Sequence, residues 1–240
     1  MQENGRILSV ILTKVKHQAK PGVSTLQLAE LADQEIRAIG AESAFYGYHG
    51  FPGTICISLN EEVVHGIPSP DRIMQSEDLV KIDIGLRRHG FYADMAETVY
   101  LGDKIPPALE RLMATTQKAL SAGIENCVAG QTLGKVSQSI QAVIEIENLS
   151  VVKRFVGHGI GRNLHEKPPV PNFGPSCRGP RLEVGMVLAI EPIASCGSPE
   201  VAIKQDGWTA VTVDGALTAH FEHTVAITSQ GPVILTSTCH

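Results

Sequence analysis

One stretch of the chain restricts its fold more than any other. Residues 79–102 read LVKIDIGLRRHGFYADMAETVYLG, in which two runs rich in β-branched and aromatic residues flank Arg-Arg-His-Gly. This pattern predicts a β-hairpin. A turn centred between Arg88 and His89 would place Asp83 directly opposite Asp94 on one face of the ribbon, with Cβ atoms roughly 5 Å apart.

The two aspartates make this hairpin unusual, because like charges opposite one another destabilise a sheet. Two unit charges about 4 Å apart repel by about 4 kcal/mol at an effective dielectric constant near 20. The neighbours Ile82, Ile84 and Phe91 are apolar. Three arrangements relieve the repulsion: full solvation at the surface, a proton shared by the pair, or a cation between the carboxylates.

The C-terminal half of the chain distinguishes these options. His158 lies in Gly-His-Gly-Ile-Gly, a composition that lets backbone segments approach closely. Glu191 ends one apolar run and Glu222 begins another. Four carboxylates and one imidazole match the oxygen-rich ligand set of a two-metal hydrolase, and two divalent cations balance four carboxylates in formal charge. A proton shared by two aspartates would leave His158, Glu191 and Glu222 unexplained.

Composition excludes several broad classes of protein. The 240 residues are 43% apolar and 19% charged, an ordinary globular balance, and the net charge of −5 argues against a general nucleic-acid binder. No apolar run approaches the roughly 18 residues of a membrane span, and residues 1–6 lack the order of a secretory signal. The five cysteines are odd in number and widely spaced, which favours free thiols in a reducing cytoplasm. They lie at positions 56, 127, 177, 196 and 239.

Helical periodicity appears in two pairs of segments. The first pair covers residues 5–18 and a segment that Ser24 and Gln27 open with a capping-box pattern and Gly40 ends. The second pair covers 107–126 and 133–148, with Thr132 as the predicted cap of the latter. Strand-like runs lie between the pairs and after residue 151. Segregation of this kind favours an α+β domain over a doubly wound parallel sheet, and the absence of any linker predicts one catalytic domain over residues 1–240.

Over nearly its whole length, the chain resembles the type I methionine aminopeptidases of the creatinase/prolidase-like metallopeptidases. The resemblance implies the pita-bread fold, an antiparallel sheet with pseudo-two-fold symmetry and helix pairs on its outer face. The motifs that carry it are KPGVST (20–25), YHGFPGTICISLNEEVVHGIP (48–68), DIG…FYAD (83–94), GHGIG…HE (157–166), EVGMVLAIEP (183–192) and DGWTAVT…FEHTVAIT (206–228).

The resemblance also implies roles for the five candidate metal ligands. Asp83 would chelate one metal, Asp94 and Glu222 would bridge both, and His158 and Glu191 would complete the second site. The metals would be two divalent ions, with manganese, iron, cobalt and zinc all compatible with this ligand set. A water activated by both metals would be the nucleophile, with Glu191 as the proton acceptor.

The remaining site residues are likewise implied by the family. His65 and His165 match the histidines that handle the nitrogen and the carbonyl oxygen of the scissile amide. Four residues match positions that line the methionine pocket: Tyr48, Phe51, Cys56 and Trp208. The implied reaction is removal of the initiator methionine from proteins and peptides with a small second residue. The implied setting is a cytoplasmic monomer that acts on nascent N-termini near the ribosome, without nucleic acid or membrane as partners.

Some positions depart from the family pattern. Ala93 and Met95 flank Asp94 where glycine and a hydroxyl residue are usual, so a hydroxyl beside this aspartate is expected to be missing. Leu164 and Phe45 change the expected width of the methionine pocket. Two other functions remain open at this stage: a same-fold aminopeptidase that cuts at proline, and a non-catalytic protein that reuses the fold for binding.

Overall fold

In the computed structural model, residues 1–237 are described. Four helices form two pairs: α1 (Gln2–Gln18) with α2 (Thr25–Ala38), and α3 (Pro107–Glu125) with α4 (Leu133–Ile146). Within these residues no helix is long and apolar enough to cross a membrane. Cys56, Cys127, Cys177 and Cys196 form no disulfide, and Cys239 lies outside the described residues.

Helix α2 begins as its sequence predicts. The Ser24 side chain accepts from the backbone N–H of Gln27, and the Gln27 side chain accepts from the backbone N–H of Ser24. Helix α4 begins differently. Thr132 occupies the N-cap position, but its hydroxyl donates to the carbonyl of Ser176 instead of capping the helix. The predicted cap at Thr132 is therefore wrong in mechanism, although the helix itself is present.

The strands that the structure describes are mostly short, as expected for the regions between and after the helix pairs. They are β1 (Glu42–Ser43), β2 (Cys56–Leu59), β3 (Glu62–Val64), β4 (Leu79–Arg88), β5 (Phe91–Tyr100), β6 (Ser150–Val151), β7 (Gly157–Gly159), β8 (Glu166–Val170), β9 (Val187–Ile190), β10 (Ile193–Ser195), β11 (Val201–Ile203), β12 (Ala210–Thr212), β13 (Thr218–His220), β14 (Glu222–Thr228) and β15 (Gly231–Ile234).

One large antiparallel sheet joins the two halves of the chain. Its main path runs β1-β4-β5-β14-β9-β7-β8, with β2 added beside β4 and β15 beside β14. Helices α1 and α2 cover the N-terminal strands through an apolar cluster that includes Leu12, Ile36 and Ile82. Helices α3 and α4 cover the C-terminal strands through a second cluster that includes Leu112, Ile140 and Ile190. The α+β, pita-bread architecture is confirmed, with both helix pairs on the outer face of the sheet.

Candidate metal centre and substrate cavity

The hairpin β4–β5 brings Asp83 and Asp94 to the inner face of the sheet, in a register that differs from the prediction. Asp83 lies opposite Ala96, and Asp94 lies opposite Gly85, so the two aspartates are diagonal neighbours. The prediction that they face each other directly is wrong, because the turn is the two-residue His89-Gly90, with φ of 53° and 78° at these positions. Since the register shifts by an even number, both side chains stay on the same face.

The C-terminal strands bring the other three candidate ligands to that face. Glu222 begins β14 and also lies opposite Ala96, which puts it across β5 from Asp83. His158, in β7, lies opposite Ala189 of β9. Glu191 follows directly after β9. Residues distant in sequence therefore meet because β5, β14, β9 and β7 are neighbours in one sheet.

The side chains of this group approach one another closely. Asp94, His158 and Glu222 are buried, and each offers a ligand atom within 4.8 Å of the others. His158 Nε2 is 3.9 Å from Asp94 Oδ2 and 3.7 Å from Glu191 Oε1. The Nδ1 atom of His158 lies 2.9 Å from the carbonyl oxygen of Gly159, so Nδ1–H donates there and the lone pair of Nε2 faces the carboxylates.

Several carboxylate oxygens in the group are buried without a hydrogen-bond partner. They are Asp83 Oδ1, Asp94 Oδ1 and Glu222 Oε1. Burial of an unpaired charged group is very costly, and nearly all buried polar atoms in native proteins are satisfied. The lone pair of His158 Nε2 and these carboxylate oxygens have no hydrogen-bond donor to satisfy them. Such a set of ligand atoms fits a divalent cation, which can bind all of them at once.

Electrostatics point the same way. Burial raises the pKa of Asp83 to about 7. Burial, together with the neighbouring acidic side chains, raises the pKa values of Asp94, Glu191 and Glu222 well above their usual range. Burial lowers the pKa of His158 to about 4, so its imidazole is neutral. A positive charge placed among these groups would lower the pKa values of the carboxyls again and favour their ionised form.

The five candidate ligands, called the metal group below, line one cavity of about 450 Å³. All eleven predicted site residues line it, which brings the five candidate ligands together with the other six. These six are His65, His165, Tyr48, Phe51, Cys56 and Trp208. The volume falls in the range of small-molecule sites, roughly 300–1,000 Å³. The arrangement therefore joins a candidate metal centre to a candidate substrate pocket; the individual role of each side chain stays a prediction.

The two non-ligand histidines lie beside the metal group with different surroundings. The ring centroid of His165 is 4.2 Å from that of His158, and its Nδ1 is 2.8 Å from the hydroxyl of Tyr48. His65 has a positive φ of 60° and makes an edge contact with Phe155 at 5.2 Å. A backbone in that region is uncommon for a residue other than glycine and is typical of functional sites.

The apolar wall of the cavity is built from aromatic rings and one thiol. Phe51 and Trp208 contact edge to face, with centroids 5.1 Å apart. Cys56 lies opposite Asp83 in the β2–β4 pair, and burial raises the pKa of its thiol well above the usual range, so the thiol is neutral. Phe45 and Leu164, noted above as departures, also line the wall. Gly85 makes room for Phe45, since a Cβ at position 85 would lie 2.9 Å from the Phe45 ring.

The structure adds residues that the sequence reasoning missed. His49 lines the cavity next to Tyr48. Thr224 holds the backbone of Asp94, because its hydroxyl accepts from the Asp94 N–H at 3.0 Å and donates to the Asp94 carbonyl at 2.7 Å. His220 is buried 3.9 Å from Glu191. The sequence signals were weak: His49 lies next to the pocket residue Tyr48, and His220 and Thr224 each lie two residues from Glu222.

Ala93 and Met95, predicted to change the surroundings of Asp94, lie elsewhere. Both side chains pack in the apolar cluster beneath α1 and α2, on the outer face of the sheet. Alternation along a strand sends neighbours of Asp94 away from its carboxylate. A hydroxyl at position 95 would therefore not reach the metal group from this backbone, and the hydroxyl that does contact Asp94 belongs to Thr224.

Comparison with known proteins agrees with this geometry. The chain is 45% identical to methionine aminopeptidase 1 of Bacillus subtilis over 98% of its own length and 94% of that protein's. The crystal structure of methionine aminopeptidase from Thermotoga maritima superposes with a TM-score of 0.96 at 40% identity, covering 99% of this chain and 95% of the other.

A more distant solved structure shows the same fold alone. The prolidase from Pyrococcus furiosus superposes with a TM-score of 0.78 at 19% identity, and the match covers all of this chain but 63% of the prolidase. The model of metallopeptidase family M24 matches residues 1–229. On that match, and on the identity and coverage of the relatives, this chain belongs to metallopeptidase family M24.

Proposed function

We propose that this protein is a metal-dependent aminopeptidase that removes the N-terminal methionine from peptides and proteins with a small second residue. The observation that carries the proposal is the convergence of five metal-binding side chains, three of them buried, and an apolar wall on one cavity. Relatives named methionine aminopeptidase, similar over nearly the whole chain, support it.

The proposed ligand roles are those that the family resemblance implies. Asp94 and Glu222, which share a cluster with His158, would hold both divalent metals. Asp83 would help to hold one metal, and His158 with Glu191 would help to hold the other. When bound, the metals lower the pKa of a water and polarise the scissile carbonyl. Manganese, iron, cobalt and zinc all suit this set of donors.

The other polar side chains move or stabilise charge. Glu191 would accept the proton of the attacking water, since its carboxylate lines the cavity beside His158. His165 donates to the carbonyl oxygen of the scissile bond, and His65 donates to its nitrogen once the carbonyl carbon is tetrahedral and the nitrogen carries a free lone pair. Burial lowers the pKa values of both histidines, that of His65 to about 4, so each acts as a neutral donor.

The pocket wall recognises the methionine side chain. Tyr48, Phe51, Cys56 and Trp208 present aromatic edges and a neutral thiol, surfaces against which a polarizable thioether packs favourably. Phe45 and Leu164 pack against these residues and line the same cavity. We therefore expect preference for methionine over charged or β-branched first residues.

We further propose that residues 1–240 work as one catalytic domain, because both halves of the sheet supply ligands. Asp83 and Asp94 come from the N-terminal half, and His158, Glu191 and Glu222 come from the C-terminal half. The proposed setting is the cytoplasm, where a monomer acts on nascent N-termini near the ribosome.

Two alternatives make different predictions for the same assay. An aminopeptidase that cuts at proline would prefer Xaa-Pro peptides, and a non-catalytic binding protein would cut nothing. The distant prolidase supports the first alternative only through its fold, and the presence of all five candidate ligands in one cavity argues against the second.

The proposal is tested by metal analysis of the purified protein and by peptide cleavage. We expect two metal equivalents and cleavage of peptides that begin Met-Ala, Met-Gly or Met-Ser. Peptides that begin Met-Lys or Met-Phe should remain intact. Equal cleavage of Met-Phe peptides, or preference for Xaa-Pro, would contradict the assigned specificity. Absence of all cleavage at full metal occupancy would favour the binding protein.

A further inference from the structure

His220 is a buried histidine next to the metal group that the proposed mechanism does not use. It ends β13 and is 2% exposed. Its backbone is fixed on both sides by Thr98, whose hydroxyl accepts from the His220 N–H at 2.9 Å and donates to the His220 carbonyl at 2.7 Å. Neither ring nitrogen has a hydrogen-bond partner.

Two buried and unpartnered ring nitrogens are costly. Leaving one buried polar group without its hydrogen bond destabilises a protein by roughly 1–3 kcal/mol. A histidine kept in such a place therefore needs a partner in the working protein. Within residues 1–237, Glu191 is the one carboxylate within 4.0 Å of the ring, with its Oε2 atom 3.9 Å from His220 Nε2.

The carboxylate of Glu191 thus lies between two histidines, with a different oxygen toward each. Its Oε1 atom is 3.7 Å from His158 Nε2, and its Oε2 atom is 3.9 Å from His220 Nε2. The His158 nitrogen presents a lone pair, because its Nδ1–H donates to Gly159. The His220 nitrogen has no such competing partner, so a neutral imidazole is free to carry its proton on Nε2.

We propose that His220 is a positioning residue: it donates Nε2–H to Oε2 of Glu191 and thereby directs Oε1 toward His158 and the metal. The inference rests on the proposed function, because it assigns Glu191 as a ligand and proton acceptor. A movement of about 1 Å brings the two atoms to hydrogen-bond length. Such outer partners of metal ligands typically contribute 10–100-fold in metal affinity or activity.

The test compares three variants with the wild-type enzyme. His220→Leu removes the donor at similar volume, and His220→Gln keeps an N–H donor. His223→Leu is the matched control, since it removes a histidine whose Nδ1 contacts Thr236 and which does not line the catalytic cavity. Cobalt(II) is titrated into each metal-free protein by calorimetry, the visible spectrum of the cobalt form is recorded, and kcat and KM are measured on Met-Ala-Ser.

We expect His220→Leu to lower cobalt affinity or kcat about 10–100-fold and to alter the cobalt spectrum, with KM nearly unchanged. His220→Gln should stay within about threefold of wild type, and His223→Leu should change neither property. If His220→Leu does not fold, His220→Met replaces it.

Three outcomes would overturn the inference. His220→Leu could bind cobalt and turn over like the wild type while losing only thermal stability, which means a purely structural role. His220→Gln could lose a cobalt equivalent as His220→Leu does, which makes His220 itself a ligand. The control could match the His220→Leu loss. Failure of the wild type to cleave Met-Ala-Ser would instead refute the proposed function, and the cobalt titration would still decide the role of His220.

Discussion

The two faces of the β4–β5 hairpin differ in the partners that their side chains find. On the outer face, Ile82, Ile84 and Met95 are buried against α1 and α2 in an apolar cluster. On the inner face, at positions next to these in sequence, Asp83 and Asp94 carry buried oxygens without partners. The same backbone thus supports a conventional core on one side and a group of unsatisfied acids on the other.

A buried lysine on the inner face has hydrogen-bond partners that the neighbouring acids lack. Lys81 is fully buried, and its ammonium donates to the carbonyls of Asn60 at 2.7 Å and Thr218 at 3.2 Å. Two residues along the same face, Asp83 has no comparable donor for Oδ1. The protein therefore supplies acceptors for the amine of Lys81, whereas the unpaired oxygens of the acids fit the proposed external cations. The outer face provides an apolar core, while the inner face carries unpaired acids at some cost to stability.

The largest effect is expected from the inner face. Asp94→Asn should abolish turnover, a loss of more than about a thousandfold, because a proposed bridging carboxylate loses charge that both cations need. Steady-state cleavage of Met-Ala-Ser with metal analysis measures it. Glu97→Gln is the control on the same strand, since Glu97 contacts Lys16 on the outer side. Activity of Asp94→Asn within tenfold of wild type would refute the two-metal interpretation.

The second-largest effect is expected at His65 and His165, and it separates catalysis from metal binding. Removing a donor whose hydrogen bond strengthens in the transition state costs about 3 kcal/mol, or two to three orders of magnitude in kcat. His65→Ala and His165→Ala should each lose that much, with metal content nearly unchanged. His158→Ala should instead release metal. Equal metal loss in all three variants would mean that one of the first two histidines is a ligand.

How far the sequence predicts each face depends on how local the interactions are. The alternation of apolar and acidic residues in β4 and β5 predicts which face each aspartate occupies, and that prediction is confirmed. The exact register was wrong because His89-Gly90 is not the Asn-Gly or Asp-Gly pair that usually marks a two-residue turn.

The C-terminal ligands depend on long-range pairing. His158 lies beside Ala189, and Glu222 lies across β5 from Asp83, through strands as short as three residues. No local periodicity predicts that these residues are neighbours. The sequence groups them only through the balance of formal charge between four carboxylates and two divalent cations, and through the family resemblance. His220 had no signal beyond a polar residue in a short strand, since only tertiary structure reveals its unpartnered nitrogens.

The outer face should affect stability much more than catalysis. Met95→Ala leaves a cavity beneath α1, and substitutions of this kind typically lower the free energy of unfolding by about 2–5 kcal/mol. Urea denaturation measures the loss, and kcat per folded molecule should change less than about threefold. Met95→Leu, which nearly conserves volume, should lose less than about 1.5 kcal/mol. A large fall in kcat without loss of stability would show that position 95 acts on Asp94 after all.

The smallest effect lies at the start of α2, the second helix that covers the outer face. Ser24 caps this helix, and removal of a serine cap typically lowers the free energy of unfolding by about 1 kcal/mol. Ser24→Ala should therefore lower the urea midpoint slightly and leave kcat and metal content unchanged, because the cap is formed only with Gln27 and contacts no cavity residue. Ser24→Thr keeps a hydroxyl acceptor and serves as the control. If Ser24→Ala impairs cleavage at unchanged stability, the two faces are coupled through α2, and the separation of stability from metal chemistry does not hold at this end of the sheet.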